Sequence, residues 1–506
     1  MSIPPDLFRS GRRGPAPVSP AVQRRRREAA NDINNELRRR IKGEVRFETG
    51  ARALYATDLS IYRHVPIGVV IPRDADDVIA TVESCRTHDV PILGRGCGTS
   101  LSGQCCNVAV VIDFSKYMNR LLALDPDARL ATVEPGIVND QLREAAKRHG
   151  LTFAPDPATH QYCTLGGNIG NNSCGAHTFW GGKTVDNVEE LEILTYDGLR
   201  MRAGPTSEDA LALIRRSGGR RAEIYRKLQE LAARYGDQIR ARYPKIPRRV
   251  SGYNLDSLLP ENGFHVARAL VGSESTCALT LRATLRLLPL SAAHALLVLG
   301  YGDFAEAGDD VPLVRELGAV ALEGIDKHVI TNMRRKGKPL AGAALLPDAQ
   351  AWLLVEFGGE NQADANSNAE AAYRRLQRAG TRSTGMRVVE SPSEQSALWQ
   401  ARESGVGSSH IPVAEEAWPS WEDAAVPPER LGPYLRDFRA LCERYGYAYT
   451  LFGHFGDGCI HARMTFGLRT EKGVARFRAY MEEAADLCLA YGGSLSGEHG
   501  DGQAKG

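Results

Sequence analysis

TLGGNIGNNSCGA, residues 164–176, sets four glycines and three asparagines within thirteen positions. Glycine at that density weakens the interior of a helix or a strand. The run therefore reads as a long ordered loop or the wall of a ligand site, with asparagine and serine side chains offering donors and acceptors. A related run, GRGCGTSLSG, lies upstream at residues 94–103. It lacks the Gly-Lys-Ser/Thr of a Walker loop, and Thr99 stands where a dinucleotide fingerprint has its third glycine. Its physical logic is still that of a phosphate loop. Glycines let backbone N–H groups turn inward, and Thr99, Ser100 and Ser102 add hydroxyls. A tight structural turn is the competing reading.

The flanking sequence says what carries these runs. Residues 67–71 are a short apolar strand closed by Pro72, and Asp74 can cap the next helix. Ala75, Val78, Ile79, Val82 and Cys85 then recur at helical spacing. With a strand at 90–93 this makes a β-α-β unit that ends on the first glycine run. Further strands are expected at 108–113 and 130–134, and a helix at 139–149. Beyond residue 289 the texture changes. LLVLGYGD (296–303) and LLVEFGGE (353–360) form a weak internal repeat, followed by helices at 310–318 and 365–379. That pattern predicts an antiparallel sheet backed by helices. Four segments result: a basic arm and helix at 1–60, with the arm at 1–27 and the helix at 28–42; a first domain at 61–290; a second at 291–450; and a C-terminal segment at 451–506.

Composition narrows the class. The 506 residues carry 63 Lys+Arg against 61 Asp+Glu, a net +2 that gives no global reason to expect nucleic acid. No run approaches the ~20 apolar residues that span a bilayer, and the N-terminus has no secretory apolar region. Arg24 to Arg27 and Arg38 to Arg40 suit an anionic membrane surface or a partner, or a solvated face. The ten cysteines include no CxxC pair, so the chain holds no iron–sulfur or zinc pattern of that type. Reduced thiols in a cytoplasmic protein, with peripheral contact to the membrane as an option, are expected.

GHFGDGCIH, residues 453–461, is the third glycine-rich motif. Asp457-Gly458 is a favoured two-residue hairpin turn. With that turn, His454 faces His461 across two strands, at a Cβ separation of about 4.5–5.5 Å. Two imidazoles so placed can share a divalent metal, or can simply be polar histidines. Glu498, in SGEHGDG at 496–502, can complete a His-His-carboxylate set with an open position. His499 is then left to act as a base, although a polar surface loop is the bland alternative.

Together, RGCGTSLSG, PDPAT (155–159), TLGGNIGNNSCGA and GSEST (272–276) resemble the FAD-binding domain of the vanillyl-alcohol oxidase / p-cresol methylhydroxylase superfamily. More narrowly, the chain is similar to FAD-linked oxidases of the glycolate oxidase and D-lactate dehydrogenase type, from about residue 61 onward. The resemblance implies an α+β protein: a two-subdomain FAD-binding domain of the p-cresol methylhydroxylase (PCMH) type with an α+β ferredoxin-like cap. It assigns FAD to Arg95, Gly96, Gly98, Thr99, Ser100, Thr164, Gly167, Asn168, Asn171, Ser173, Gly175 and Glu274. Cys97 stands where the family has glycine. It assigns zinc or a similar ion to His454, His461 and Glu498, the base to His499, and the substrate carboxylate to Arg402. Arg248, Tyr253 and Asn254 are weaker candidates for the flavin face.

The implied activity is oxidation of a D-2-hydroxy acid (D-lactate, glycolate or 2-hydroxyglutarate class) to the 2-oxo acid by hydride transfer to flavin. An iron–sulfur protein or domain, a quinone or a cytochrome would accept the electrons. Two other readings stay open: a flavin-binding electron-transfer subunit inactive without an iron–sulfur partner or a missing C-terminal region, and a metallohydrolase using the C-terminal residues alone. Some relatives supply a lysine to the substrate acid, and no lysine lies between Arg402 and Arg430 here. Because the sequence stops at Gly506, soon after Glu498-His499, it is expected to be the N-terminal part of a longer or split polypeptide.

Overall fold

The computed structural model describes residues 20–338, 341–403, 417–419 and 421–505. Residues 1–19 of the expected arm lie outside the described residues. From Pro20 the chain is already helical, and the helix runs to Arg40, starting eight residues earlier than its spacing predicted. Ile33 and Leu37 anchor it, fully buried against a cluster that includes Val45, Val70 and Val110. Tertiary burial, rather than local pattern, thus packs the helix Pro20–Arg40 onto the first domain.

That domain holds two sheets. The first has the strand order Glu44–Arg46, Gly68–Ile71, Val110–Asp113, Ile92–Arg95. The last three strands pair in parallel, with helix Ala75–Thr87 as the crossover between Gly68–Ile71 and Ile92–Arg95. This is the expected β-α-β unit. Gly68–Ile71 is buried throughout, which explains its unbroken apolar run. Asp74 caps the helix by accepting from the N–H groups of Asp76 and Asp77. Ile92–Arg95 leads directly into the first glycine run. The second sheet is antiparallel, in the order Leu121–Asp125, Leu130–Val133, Leu279–Arg286, Val188–Leu194, Arg200–Ala203. Leu279–Arg286 alternates between buried and more exposed positions, as a strand with one covered face should.

The second glycine run departs from the reading as a loop. Leu165–Asn171 is a short α-helix. Thr164 caps it, its hydroxyl accepting from the N–H of Gly167 at 3.3 Å. One glycine there answers to crowding: a Cβ on Gly166 would stand 2.7 Å from Pro135 Cβ and 2.8 Å from the Pro135 carbonyl oxygen, whereas one on Gly170 would meet nothing within 4 Å. Close packing thus accounts for Gly166.

The second domain is built on one eight-stranded antiparallel sheet. The repeat strands Ala293–Tyr301 and Ala351–Gly359 are direct neighbours, with Leu297 opposite Val355. Adding Ala321–Asp326 and Gly385–Val389 gives a β-α-β-β-α-β arrangement with spatial order 4-1-3-2, the ferredoxin-like pattern. One helix is longer than its periodicity suggested. Phe304–Arg315 starts at the Asp303 cap and passes through Gly308 and Pro312. Gly308 lies against the backbone of Gly432 in helix Leu431–Tyr445, where a Cβ would come within 2.8 Å of a backbone nitrogen. The strands Tyr449–His454 and Cys459–Met464 extend the same sheet, Gly453 pairing with Gly324. The segment at 451–506 is therefore continuous with the cap. No helix among the described residues is long and apolar enough to cross a membrane.

Candidate active site

The hairpin carrying the two histidines closes differently from the two-residue turn expected. Phe455–Asp457 form a 3₁₀ turn and Gly458 takes a left-handed φ of 71°. His454 consequently pairs with Cys459, and Phe452 pairs with His461. The register has moved by two residues. Side-chain direction repeats every two residues, so both histidines keep the same face. Their rings meet diagonally, with centroids 5.2 Å apart.

Each imidazole gives one nitrogen to an acceptor behind it. His454 donates Nδ1–H to Glu323 Oε1 at 2.7 Å, and His461 donates Nδ1–H to the carbonyl of Glu422. Both Nε2 atoms then point at Glu498 Oε1, at 3.1 and 3.0 Å. In neutral rings those nitrogens carry lone pairs, so three acceptors converge on one point. That donor set, each histidine held from behind, is the arrangement of a His-His-carboxylate metal centre. Of the residues that would bind or brace a cation, His454, His461, Glu323 and Glu422 are buried and Glu498 is nearly so.

Glu498 and His499 sit in a turn that Asp423 shapes. This fully buried carboxylate accepts the N–H of Glu498 at 2.8 Å, the N–H of His499 at 2.9 Å and the hydroxyl of Ser496 at 2.5 Å. Arg248, also fully buried, pairs with Glu498 and, at 2.9 Å, with Asp457. Burial pushes the Glu498 carboxyl up, but His454 and Arg248 more than reverse it and hold it well below the usual range. His461 is shifted down by burial; His454 is shifted up because Glu323 and Glu498 outweigh burial and Arg248. For His499, burial is overcome by Asp423 and Glu498, and the imidazole is held at about 9. Its ring stacks on His461 with centroids 5.1 Å apart.

Arg402, near the end of helix Pro392–Glu403, reaches the same centre. Its Nη2 pairs with Glu323 Oε2 at 2.6 Å, and its guanidinium lies 5.1 Å over the Phe452 ring. Its Nε is buried without a partner. Glu323 thus holds Arg402 on one oxygen and His454 on the other. The chain between 404 and 416, which includes part of the lysine-free stretch, lies outside the described residues.

One cavity joins these groups to both glycine runs. Gly96, Cys97, Gly98, Thr99 and Ser100 line it from the first run, and Thr164, Gly167, Asn168, Asn171 and Ser173 from the second. Arg402, His454, His461, Glu498 and His499 complete it. The two runs meet where a Cβ on Gly96 would lie 2.1 Å from Thr164 Oγ1. Asn168 Nδ2, Arg402 Nε, Arg463 Nε and His499 Nδ1 are buried without partners, and all four residues line this cavity. Such donors suit a polar ligand.

Other candidates are placed less directly. Arg95 and Glu274 line an adjoining cavity with Gly94 and Gly170. The Arg95 side chain turns into the protein, donating to the carbonyls of Cys105 (2.6 Å) and Thr57 (2.9 Å), so it braces the loop. Glu274 accepts from Gln104 Nε2 and from the N–H of Gly502, each at 3.0 Å. Gly175 lines neither cavity; it is pressed against Asp156, where a Cβ would fall 2.2 Å from the carbonyl carbon. Tyr253 bonds Thr276, and Asn254 bonds the Val271 carbonyl; neither lines the cavity. Gln503 ties the C-terminal residues back to the first loop, donating to the carbonyls of Gly103 (2.7 Å) and Cys106 (3.0 Å) while touching His64 and Tyr62.

Glu323 carries no motif signal; Asp423 lies in WEDAAV (421–426), a run similar to one in FAD-linked oxidases of this type, but that likeness gave it no role; and Arg248 was a candidate for the flavin face rather than for Glu498. A second cavity, of about 350 Å³, lies against Arg402 and is walled by His177, His294, Glu356 and Trp399. There Glu356 accepts from His177 Nε2 and Trp399 Nε1, each at 2.8 Å. These residues too were silent in the sequence.

Residues 66–204 match the FAD binding domain family, and residues 290–506 match the C-terminal domain of FAD linked oxidases. The chain is 32% identical over 472 residues to a D-2-hydroxyglutarate dehydrogenase of Pseudomonas putida, covering 91% of this chain and 47% of that protein. It is 26% identical to the glycolate oxidase subunit GlcD of Escherichia coli, over 88% of this chain and 78% of that one. A D-lactate dehydrogenase of Archaeoglobus fulgidus is 27% identical, with 86% and 83% covered. The chain spans about half the length of the D-2-hydroxyglutarate dehydrogenases that it matches. In fold it is similar to p-cresol methylhydroxylase with substrate bound, with a TM-score of 0.62, 14% identity, and 93% of this chain and 90% of that one covered.

Proposed function

We propose that this chain, which belongs to the FAD-linked oxidases by both its FAD-binding domain and its C-terminal domain, oxidises a D-2-hydroxy acid to the 2-oxo acid. The observation that carries the reading is the shared cavity. Glycine runs suited to a dinucleotide, an arginine with a free donor, and a His-His-Glu cluster with an adjacent histidine all face one space.

FAD would lie along Gly96 to Ser100 and Thr164 to Ser173, where small residues and the unpartnered Asn168 amide fit a diphosphate and a ring. A divalent cation such as zinc would be held by His454, His461 and Glu498. When bound, FAD supplies the acceptor for the hydrogen and electron pair leaving C2, and the cation supplies positive charge beside the hydroxyl oxygen.

The chain's own residues do the rest. Arg402 binds the substrate carboxylate through Nε and its open edge, while Glu323 fixes the guanidinium from behind. His499 takes the hydroxyl proton. It is held protonated by Asp423 and Glu498, so its use as a base needs the charge of Glu498 offset. Asp423 and Arg248 fix the turn that presents both residues. The electron acceptor that reoxidises the protein would be an iron–sulfur protein or domain, a quinone or a cytochrome.

Anaerobic mixing with D-lactate, glycolate and D-2-hydroxyglutarate, followed by the flavin absorption band, tests the reading. At least one acid should bleach the flavin, and His499→Asn should slow bleaching by about 10²–10⁴-fold with flavin still bound. A flavin-loaded, metal-loaded protein that no D-2-hydroxy acid reduces would contradict it.

A further inference from the structure

Glu323 belongs to the strand Ala321–Asp326, beside the strand that carries His454, and is 1% exposed. Its two oxygens serve different masters. Oε1 accepts from His454 Nδ1 at 2.7 Å, on the far side of the ring from Glu498; Oε2 accepts from Arg402 Nη2 at 2.6 Å. Neither partner touches the other in any bond that joins them directly; the carboxylate is the link. Buried and away from water, its charge is divided between these two donors with little screening.

From this we propose that Glu323 is a positioning residue that couples cation binding at His454 to carboxylate binding at Arg402, so that each ligand strengthens the other. The inference rests on the metal reading given under the proposed function. A cation on His454 Nε2 polarises the ring and makes Nδ1–H a stronger donor. Glu323 is then drawn toward His454, its hold on Arg402 slackens, and the guanidinium is freer to meet a substrate carboxylate. The reverse follows by linkage. A carboxylate on Arg402 competes with Oε2, leaves more of the Glu323 charge to His454, and tightens the cation. No bond is made or broken; one shared acceptor is redistributed.

Arg402 is not among the cation's ligands, yet removing it should tighten cation binding, because Glu323 is then left to His454 alone. Zinc affinity is measured by competition with a fluorescent chelator, in the flavin-loaded protein, for the wild type, Arg402→Gln, Glu323→Gln and the double variant. Flavin absorbance and thermal melting monitor the fold. Arg402→Gln should bind zinc about fivefold more tightly than wild type. Glu323→Gln should bind it about 10–100-fold more weakly. In the Glu323→Gln background, Arg402→Gln should change zinc affinity much less, since only the through-space loss of a positive charge remains. The substrate's KM should rise in Glu323→Gln together with the weaker zinc, and saturating zinc should restore it.

An equal change on removing Arg402 in both backgrounds, or weaker zinc binding in Arg402→Gln, overturns the coupling. Wild type that binds no zinc overturns the metal reading, and the coupling with it; zinc bound by all four proteins without a difference between backgrounds overturns the coupling alone. Should Glu323→Gln fail to fold, Glu323→Asp keeps the charge but, one methylene shorter, reaches one partner; it should bind zinc and depend on Arg402 only through space, much less than wild type does. A dependence of wild-type size retained in Glu323→Asp counts against the proposal.

Discussion

The glycine runs at residues 94–103 and 164–176 make their part of the site by leaving side chains out, whereas the C-terminal centre makes its part by crowding charged ones in. In the first region Gly96 touches Thr164 and Gly166 touches Pro135, so backbone forms the wall. In the second, Glu323, Arg402, His454, Arg248, Glu498 and Asp457 pair with one another in a largely buried space. A backbone wall is sensitive to added volume and indifferent to charge. A charge cluster tolerates little change in either, because every removed partner leaves another buried ion behind. Binding and chemistry should therefore fail separately.

The largest effect expected is on the chemistry. Glu498→Gln, or removal of metal by a chelator, should lower the rate of flavin reduction by about a thousandfold, the loss of several kcal/mol of charge stabilisation. The spectrum of bound flavin should stay as it was. Flavin lost in step with activity would merge the two regions into one.

Next comes the stability of the charged region. Arg248→Met leaves Glu498 and Asp457 facing each other without their cation, and should cost about 3–5 kcal/mol in a denaturant titration. An unchanged midpoint would mean that other groups carry the charge balance.

Smaller effects belong to the backbone wall. Gly96→Ala must displace Thr164, and overpacking of that kind costs about 1–3 kcal/mol. Flavin should bind roughly ten- to a hundredfold more weakly, while zinc binding is unaltered; equilibrium dialysis of each ligand separates the two.

The least effect is on pH-dependent stability of the first domain. His265 caps the N–H of Arg268 through Nδ1 and its Nε2 is buried without a partner. Burial, with Arg268 adding to it, pushes its pKa down to about 4. The folded state keeps the ring neutral where the unfolded chain binds a proton, so stability should be full above the ordinary pKa of about 6.5 and fall as pH drops toward 4. The loss should be on the order of 1–2 kcal/mol. Urea midpoints at pH 7.5 and 4.5 should differ less in His265→Asn than in wild type.

What was legible in the sequence was mostly local. The β-α-β unit, the repeat strands and the capping of Ala75–Thr87 depend on residues within a few turns of each other, and they appear as read. The hairpin register was missed because the turn after His454 uses two more residues than an Asp-Gly turn, yet both histidines still share a face, since a slip of two preserves it. The residues behind the site were not legible. Glu323 meets His454 across 131 positions, Asp423 meets Glu498 across 75, and Arg248 meets Glu498 across 250. No spacing rule reaches that far. The second glycine run lines a cavity but forms a helix that its composition did not announce, because the crowding at Pro135 that favours glycine at 166 is itself a long-range contact.

The Gln503 clasp has a consequence for how the protein is made. It joins the first loop to residues 397 positions later in the chain. At ~5–20 residues per second, a ribosome needs roughly 20–80 s to cover that interval. Once Leu279–Arg286 has completed its second sheet, the first domain still lacks that contact for the rest of the interval, and a cleft shaped for a large aromatic ligand stays open to the cell. Early capture of the flavin would occupy the cleft and leave less apolar wall for other nascent chains to find. On that account the cofactor would serve the newborn chain as a chaperone before it serves as an oxidant.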